Sequence, residues 1–84
     1  MPYIRQEDRA KLRPLLEQLY QSIHSDGEMN YVITKLIDYH YGDGAYMQLN
    51  AGMGVLACVT QEFYRKRIAP YEDERAVENG EVFE

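Results

Sequence analysis

The sequence predicts an all-α protein, a compact bundle of three main helices with a short N-terminal helix and a docked acidic C-terminal tail. Apolar residues recur along the 84-residue chain at steps of three and four, which places them on single faces of helices. The run Gly42-Asp43-Gly44 and the proline at position 70 then divide the chain into segments of helical length. These two observations together predict the fold class.

The first helical region covers residues 5–24 and contains Pro14. Proline lacks a backbone donor and clashes with the preceding turn, but the first turn of a helix tolerates it. We therefore expect a short opening helix over residues 6–12 and a second helix that begins near Pro14. The apolar stripe of this region contains Leu12, Leu15, Leu16, Leu19 and Ile23.

The second main helix is expected to begin at Ser25 and to end at about Tyr41. Ser25 and Glu28 have the spacing of a capping box, in which a side chain accepts a hydrogen bond from the first turn. Gly42 suits the left-handed position that follows many helix ends. The apolar face of this helix contains Met29, Val32, Ile33, Leu36, Ile37 and His40. The tyrosines at positions 31, 39 and 41 lie off that face, so we expect some of them to be exposed or interfacial.

The third main helix is expected over residues 46–68, ending before Pro70. One of its faces contains Leu49, Met53, Leu56, Thr60, Phe63 and Arg67. Gly52 and Gly54 each cost about 1 kcal/mol of helix propensity relative to alanine, so we expect a compensating contact. The close approach of another backbone is one explanation, and a local kink is the other. A face of small residues favours the first explanation and predicts an oligomer interface at Ala51, Gly54, Val55 and Cys58.

The length of the chain predicts one domain over residues 1–84, with a helical core of residues 1–70 and an acidic segment of residues 71–84. So short a chain is marginally stable on its own, and disulfides, metals or oligomerisation usually compensate. Cys58 is the only cysteine, which excludes an intramolecular disulfide and a cysteine-zinc cluster. We therefore expect a homo-oligomer. Cys58 itself is expected to be a buried, inert thiol; an intermolecular disulfide or a reactive thiol is the alternative.

The net charge of −5 comes entirely from the segment of residues 71–84, because residues 1–70 carry eight basic and eight acidic side chains. This balance argues against non-specific nucleic-acid binding. A short helix that stops at Asn79-Gly80 is expected in the segment. Its apolar residues, which suggest that it docks, are Tyr71, Val77, Val82 and Phe83. No stretch reaches the roughly 20 apolar residues of a membrane span, and the N-terminus lacks the apolar core of a secretion signal, so we expect a cytoplasmic protein.

No catalytic apparatus is predicted. His24 and His40 are the only histidines, and a metal site at His40 with Asp38 and Asp43 is weakly supported because no matching ligand cluster accompanies them. Adjacent carboxylates on a helix point about 100° apart, so we interpret the acidic pairs as caps and solvated faces. These pairs are Glu7-Asp8 and Glu72-Asp73. We expect no enzyme activity, no metal and no cofactor.

Tyrosine and arginine side chains are the candidates for ligand binding. The chain has eight tyrosines, and the string Tyr64-Arg65-Lys66-Arg67 puts an aromatic ring beside three cations. That combination suits a phosphate or a nucleotide, with base stacking on the ring and charge pairing to the guanidinium fork. The alternative is that these cations pair with the acidic tail. The candidate ligand-binding residues are Tyr3, Arg5, Arg9, Tyr64, Arg65 and Arg67.

Several strings resemble a family of small uncharacterised proteins carried by tailed bacteriophages, prophages and some bacteria. They are Pro2-Tyr3-Ile4-Arg5-x-Glu7-Asp8-Arg9, Asn30-Tyr31-x-Ile33-Thr34, Gln61-Glu62-Phe63-Tyr64-Arg65-x-Arg67, Pro70-Tyr71-Glu72-Asp73 and Glu78-Asn79-Gly80-Glu81-Val82-Phe83. Residues 38–48 do not follow the pattern. The resemblance implies a compact helical fold, a viral or mobile-element context and no catalytic residues.

Together, these observations lead us to expect a non-enzymatic, self-associating accessory protein of the phage type that binds another molecule. The favoured function is counter-defence, by sequestering a phosphate-bearing nucleotide or by binding a host protein. A structural or assembly module without a small-molecule ligand is the alternative.

Overall fold

Four α-helices and one π-helical turn make up the protein in a computed structural model, which describes residues 1–83. The elements are α1 (Gln6–Ser22), α2 (Asp26–Tyr41), α3 (Tyr46–Phe63), the π-helical turn (Tyr64–Ile68) and α4 (Ala69–Asn79). No strand occurs among the described residues, so the all-α prediction is confirmed.

Backbone contacts divide the chain into two units. Pro2–Met53 form the first, which holds α1, α2 and the first half of α3. Met1 and the residues from Gly54 onward form the second, which holds the remainder of α3, the π-helical turn and α4. The expected single domain stays a prediction.

Helix α1 runs from Gln6 to Ser22 with Pro14 inside it, so the predicted break between residues 12 and 14 is wrong. The ring of Pro14 cannot donate to the carbonyl of Ala10, one turn earlier. Both residues are exposed. Water can therefore satisfy that carbonyl, which lowers the cost of a proline within a helix. The expected short N-terminal helix is the first half of α1.

The start of α2 is the predicted cap at Ser25. The Ser25 Oγ accepts a hydrogen bond from the Glu28 N–H at 3.1 Å. The Glu28 carboxylate in turn accepts from the His24 N–H at 2.7 Å, one residue earlier than in the standard capping box. The helix ends at Tyr41, as expected.

Gly42 adopts right-handed helical backbone angles (φ −67°, ψ −30°), so the predicted left-handed conformation is wrong. Its N–H donates to the Asp38 carbonyl at 2.8 Å. A Cβ at this position would lie 2.6 Å from that carbonyl oxygen, too close for any side chain. Glycine is needed here because of this close approach. Among the described residues, the positive φ belongs to Gly80 (97°), at the predicted stop of α4.

The third helical segment does not stop before Pro70, contrary to the prediction, because α4 follows the π-helical turn directly. The Ala69 N–H donates to the Tyr64 carbonyl, five residues earlier. Pro70 lies in the first turn of α4, where a missing N–H is tolerated. Its ring would clash with the Lys66 carbonyl in a regular α-helix, and the wider π turn moves that carbonyl away.

Neither unit has a hydrophobic core of its own. No hydrophobic side chain is buried among residues 1–83. The leucine stripe of α1 is open, with Leu15 at 62% and Leu16 at 61% exposure. At the other end of the described chain, Val77 and Phe83 are each 87% exposed, so the tail side chains expected to dock are uncovered. The all-helical character matches the prediction, whereas the packing of the helices into a bundle stays a prediction.

Candidate functional site

The two glycines of α3 differ in their surroundings. A Cβ at Gly52, in the first unit, would lie 3.1 Å from Cδ2 and 3.2 Å from Cβ and Cγ of Tyr41. The ring of Tyr41 therefore packs directly against the backbone of α3, and Gly52 is the buried residue of that helix. A Cβ at Gly54, in the second unit, would meet no atom within 4 Å. The glycine at position 52 is therefore explained by the close approach of a tyrosine ring, and not of a second backbone as predicted. No such contact within the described chain explains Gly54.

The predicted interface residues all lie on α3 and are all exposed: Ala51 in the first unit, and Gly54, Val55 and Cys58 in the second. The expectation of a buried thiol is wrong, because Cys58 is exposed. The apolar run around Cys58 suggested burial, but its side chain is open to solvent in the described part of the chain. Whether the four residues form an interface stays a prediction.

The N-terminal half of the predicted ligand site is in the first unit. Arg5 forms ion pairs with Glu7 and Asp8, each at 3.2 Å, at the exposed start of α1. The Nε of Arg9 donates to the Ile4 carbonyl at 2.8 Å, which ties the extended N-terminus to the helix. Tyr3 is half exposed. Glu7 and Asp8 lie in the first turn of α1, where the helix dipole favours a negative charge, but no side chain caps this helix by a hydrogen bond, so the prediction that they act as caps is wrong.

The other half of the predicted ligand site is on the π-helical turn, in the second unit. The Tyr64 hydroxyl donates a hydrogen bond to the Glu72 carboxylate, and Arg65 pairs with Glu62 at 2.7 Å. No described residue forms an ion pair with Lys66 or Arg67. These two cations are therefore open to an anion. The two halves of the predicted site belong to different units.

The hydrogen bond to Glu72 raises the pKa of Tyr64 above its ordinary value of 10.0. The negative charge of Glu72 is the next largest cause, followed by partial desolvation and the charge of Asp73. Each of these disfavours a phenolate. The tail acid Glu72 thus engages the hydroxyl of Tyr64, while Arg75, in the same segment, pairs with Glu78 at 2.9 Å.

A concavity of about 730 Å³ lies beside α4. Its ionisable lining consists of Tyr64, Glu72, Asp73, Arg75 and Glu81. Three carboxylates against one guanidinium repel a phosphate, and neither Lys66 nor Arg67 lines this space. A phosphate-bearing ligand would therefore bind outside it.

A second groove, of about 340 Å³, lies in the first unit where α2 meets α3. It is mostly apolar and is lined by Thr34, Ile37, Asp38, Tyr41, Gly42, Leu49 and Met53. Ile37, Leu49 and Met53 were predicted to lie on helix faces, but the groove itself was not predicted. Tyr41, which lines the groove, packs against Gly52. The glycine at position 52 is the one feature of the sequence that could have indicated this contact.

Three further observations concern the described surface. Among residues 1–83, no group of three histidine, cysteine, aspartate or glutamate side chains converges as a metal site would require. Tyr31 and Tyr39 are exposed, as expected, and the Lys35 ammonium lies 4.8 Å from the centre of the Tyr39 ring. In the described part of the chain, no helix combines the length and the apolar character that crossing a membrane requires.

The fold and its surface define a class: an all-α protein whose helices leave their apolar faces open. The chain belongs to the DUF6899 family, a domain of unknown function, whose family model matches residues 1–82. No curated protein and no solved structure matches it. This match confirms the prediction that the chain belongs to an uncharacterised family.

Proposed function

We propose that this protein is a non-enzymatic, self-associating helical module that binds another molecule. The observation that supports this most is the absence of any buried hydrophobic side chain among residues 1–83. Covering a fully exposed leucine-sized side chain is worth about 1.5–3 kcal/mol, and a domain normally gains this by forming a core. Helices with open apolar faces gain it from another chain. The expected bundle would then form between copies rather than within one.

Lys66 and Arg67 support a phosphate-bearing ligand as the molecule that the assembly binds. Both cations lack an ion-pair partner among the described residues, and the ring of Tyr64 is 48% exposed beside them. Arginine pairs with phosphate oxygens through two parallel hydrogen bonds, and a tyrosine face can stack on a base. A nucleotide combines both groups. A phage accessory protein that sequesters such a signal inside a host cell, as counter-defence, fits this chemistry and the viral context that the resemblance implies.

A thermal-shift screen tests the ligand. Cyclic and linear nucleotides should raise the melting temperature of the protein, and Arg67→Ala should remove the shift. Arg75→Ala is the matched control, because Arg75 is an exposed arginine of the same unit outside the proposed set. Its shift should equal that of the wild type. If no nucleotide raises the melting temperature, or if Arg67→Ala and Arg75→Ala show the same shift, the proposal of a nucleotide ligand is wrong.

A structural module without a small-molecule ligand is the second candidate. The acidic lining of the concavity beside α4 favours it, because that space repels phosphates and neither Lys66 nor Arg67 lines it. This candidate predicts a stable oligomer that no nucleotide stabilises. The same screen, performed on a sample whose oligomeric mass is known, therefore separates the two.

A further inference from the structure

We propose that the groove between α2 and α3 is the seat for the leucine stripe of α1 from a second copy of this chain, and that two copies exchange α1 symmetrically. This inference rests on the proposed self-association and names the surfaces that carry it. Both surfaces belong to the first unit, Pro2–Met53, so each copy offers one stripe and one groove. A two-fold axis then gives two identical contacts and a closed assembly.

Both surfaces are largely open in the described chain. The stripe of α1 contains Leu12, Leu15 and Leu16, which are 41%, 62% and 61% exposed. The groove is lined by side chains of α2 and α3 and by none of α1. Its walls at Leu49 and Met53 are 48% and 66% exposed. An apolar stripe at helical spacing and an apolar groove between two helices are the two halves of a helix-in-groove contact.

The apolar area of these surfaces supplies most of what a stable dimer needs. Five side chains of each copy are 41–66% exposed: Leu12, Leu15, Leu16, Leu49 and Met53. Leu19, Ile23 and Ile37 are partly covered. At roughly 50 Å² for each of the five and roughly half that for each of the three, two copies together cover roughly 650 Å² of apolar surface. A standard interface of about 1,600 Å² has about 900 Å² of non-polar area, so the exchange of α1 supplies about 70% of it.

The charges beside the two surfaces are complementary. Lys11 and Arg13 flank the stripe, and no described residue forms an ion pair with either. Asp38 lines the groove and Asp43 follows it in the loop, whereas the nearby Lys35 ammonium lies over the Tyr39 ring. A basic stripe entering an acidic rim is favourable, and the opposite charges fix the direction in which α1 enters. The acidic segment of residues 71–83 would instead be repelled by Asp38.

Single substitutions on either surface test the contact. Leu16→Ser and Met53→Ser should each raise the dimer dissociation constant about 100-fold, because every substitution acts in both symmetric contacts. Met47→Ser is the matched control: Met47 is a methionine of the same helix, is 80% exposed and is not part of the groove. It should leave the constant unchanged. Analytical ultracentrifugation measures the constant, and circular dichroism at 222 nm shows whether each variant keeps its helices.

Mixing the two variants makes the test specific for exchange between copies. A heterodimer of Leu16→Ser with Met53→Ser has one contact without a substitution and one contact that carries both. The two losses overlap in that second contact, because substitutions that remove the same packing contact are not additive, so the mixture should associate more tightly than either variant alone. If each chain instead folds its own α1 into its own groove, mixing restores nothing, and the proposal is overturned. The proposal also fails if both variants associate like the wild type, although self-association through another surface would then stand. A monomeric wild-type protein would overturn both the exchange of α1 and the proposed self-association.

Discussion

The two glycines of α3 give the sharpest test of the described contacts, because the same substitution should have opposite effects two residues apart. Glycine within a helix costs about 1 kcal/mol relative to alanine, so Gly→Ala would stabilise either position if nothing opposed it. At Gly54 nothing lies within 4 Å of the new methyl group. At Gly52 the methyl group would lie 3.1–3.2 Å from three atoms of Tyr41. Contacts of that length require the neighbour to move.

Whether Gly52→Ala raises or lowers the free energy of unfolding depends on how far Tyr41 can move away from the new methyl group. One of the crowded atoms is its Cβ, which is fixed to the backbone of α2, so rotating the ring does not relieve the contact. Overpacking of this kind costs about 1–3 kcal/mol. Gly52→Ala should therefore lower the free energy of unfolding by up to about 2 kcal/mol, whereas Gly54→Ala should raise it by about 1 kcal/mol.

Urea unfolding followed by circular dichroism measures both variants. All samples must have the same protein concentration, because self-association makes the stability depend on it. If Gly52→Ala stabilises the protein as much as Gly54→Ala does, the contact between Tyr41 and α3 is refuted. If Gly54→Ala instead weakens the oligomer, a second copy approaches α3 there, as the interface prediction from the small residues requires.

Three other features give predictions of their own. Ultraviolet titration of tyrosine should show one pKa above the usual value, and Glu72→Gln should lower it toward 10.0 by removing the charge next to Tyr64. Because the pKa of Tyr64 is raised in the folded state, the stabilisation from its hydrogen bond is complete below pH about 10. It disappears as the pH rises through the higher folded-state pKa. A titration in which no tyrosine has a raised pKa would contradict the hydrogen bond to Glu72. Ser25→Ala should cost about 1 kcal/mol in urea unfolding and Ser25→Asp almost nothing, since aspartate also caps α2; equal losses would contradict the cap. Pro70→Ala should let the π turn relax to a regular α-helix, with slower amide exchange at residues 64–70; unchanged exchange would exclude a clash with Lys66 as its cause.

The local signals in the sequence were sufficient to predict most helix boundaries. Ser25 and Glu28 gave the start of α2, and Asn79-Gly80 gave the end of α4, because capping depends on residues within one turn. Proline was the main source of error. Pro14 and Pro70 suggested breaks, but an exposed helix can hydrate a lost carbonyl partner, and a π turn can relieve a clash.

Packing was harder to predict than the helices, because an apolar stripe shows that a helix needs a partner but not which one. The stripe on α1 suggested an intramolecular bundle, and the structure leaves Leu15 and Leu16 open. Cys58 was expected to be buried for the same reason and is exposed. The groove between α2 and α3 depends on how Tyr41 meets Gly52, a contact between residues that no periodicity connects.

The basic residues show the same limit for the candidate site. The string at residues 64–67 keeps its cations beside a tyrosine in the structure, since neighbours in sequence stay close in a helix. Their individual partners could not be predicted, because Glu62 lies one turn before Arg65 and Glu72 lies two turns after Tyr64. The sequence also gave no sign that, unlike Arg65, Lys66 and Arg67 form no ion pair with any of residues 1–83.

Self-association is the central claim, and the mass of the wild-type protein in solution tests it most directly. Multi-angle light scattering on a size-exclusion column, over a range of loading concentrations, gives that mass without assuming a shape. Helices with open apolar faces predict at least twice the 9.9 kDa of one chain. A single species of 9.9 kDa at every concentration would contradict the claim.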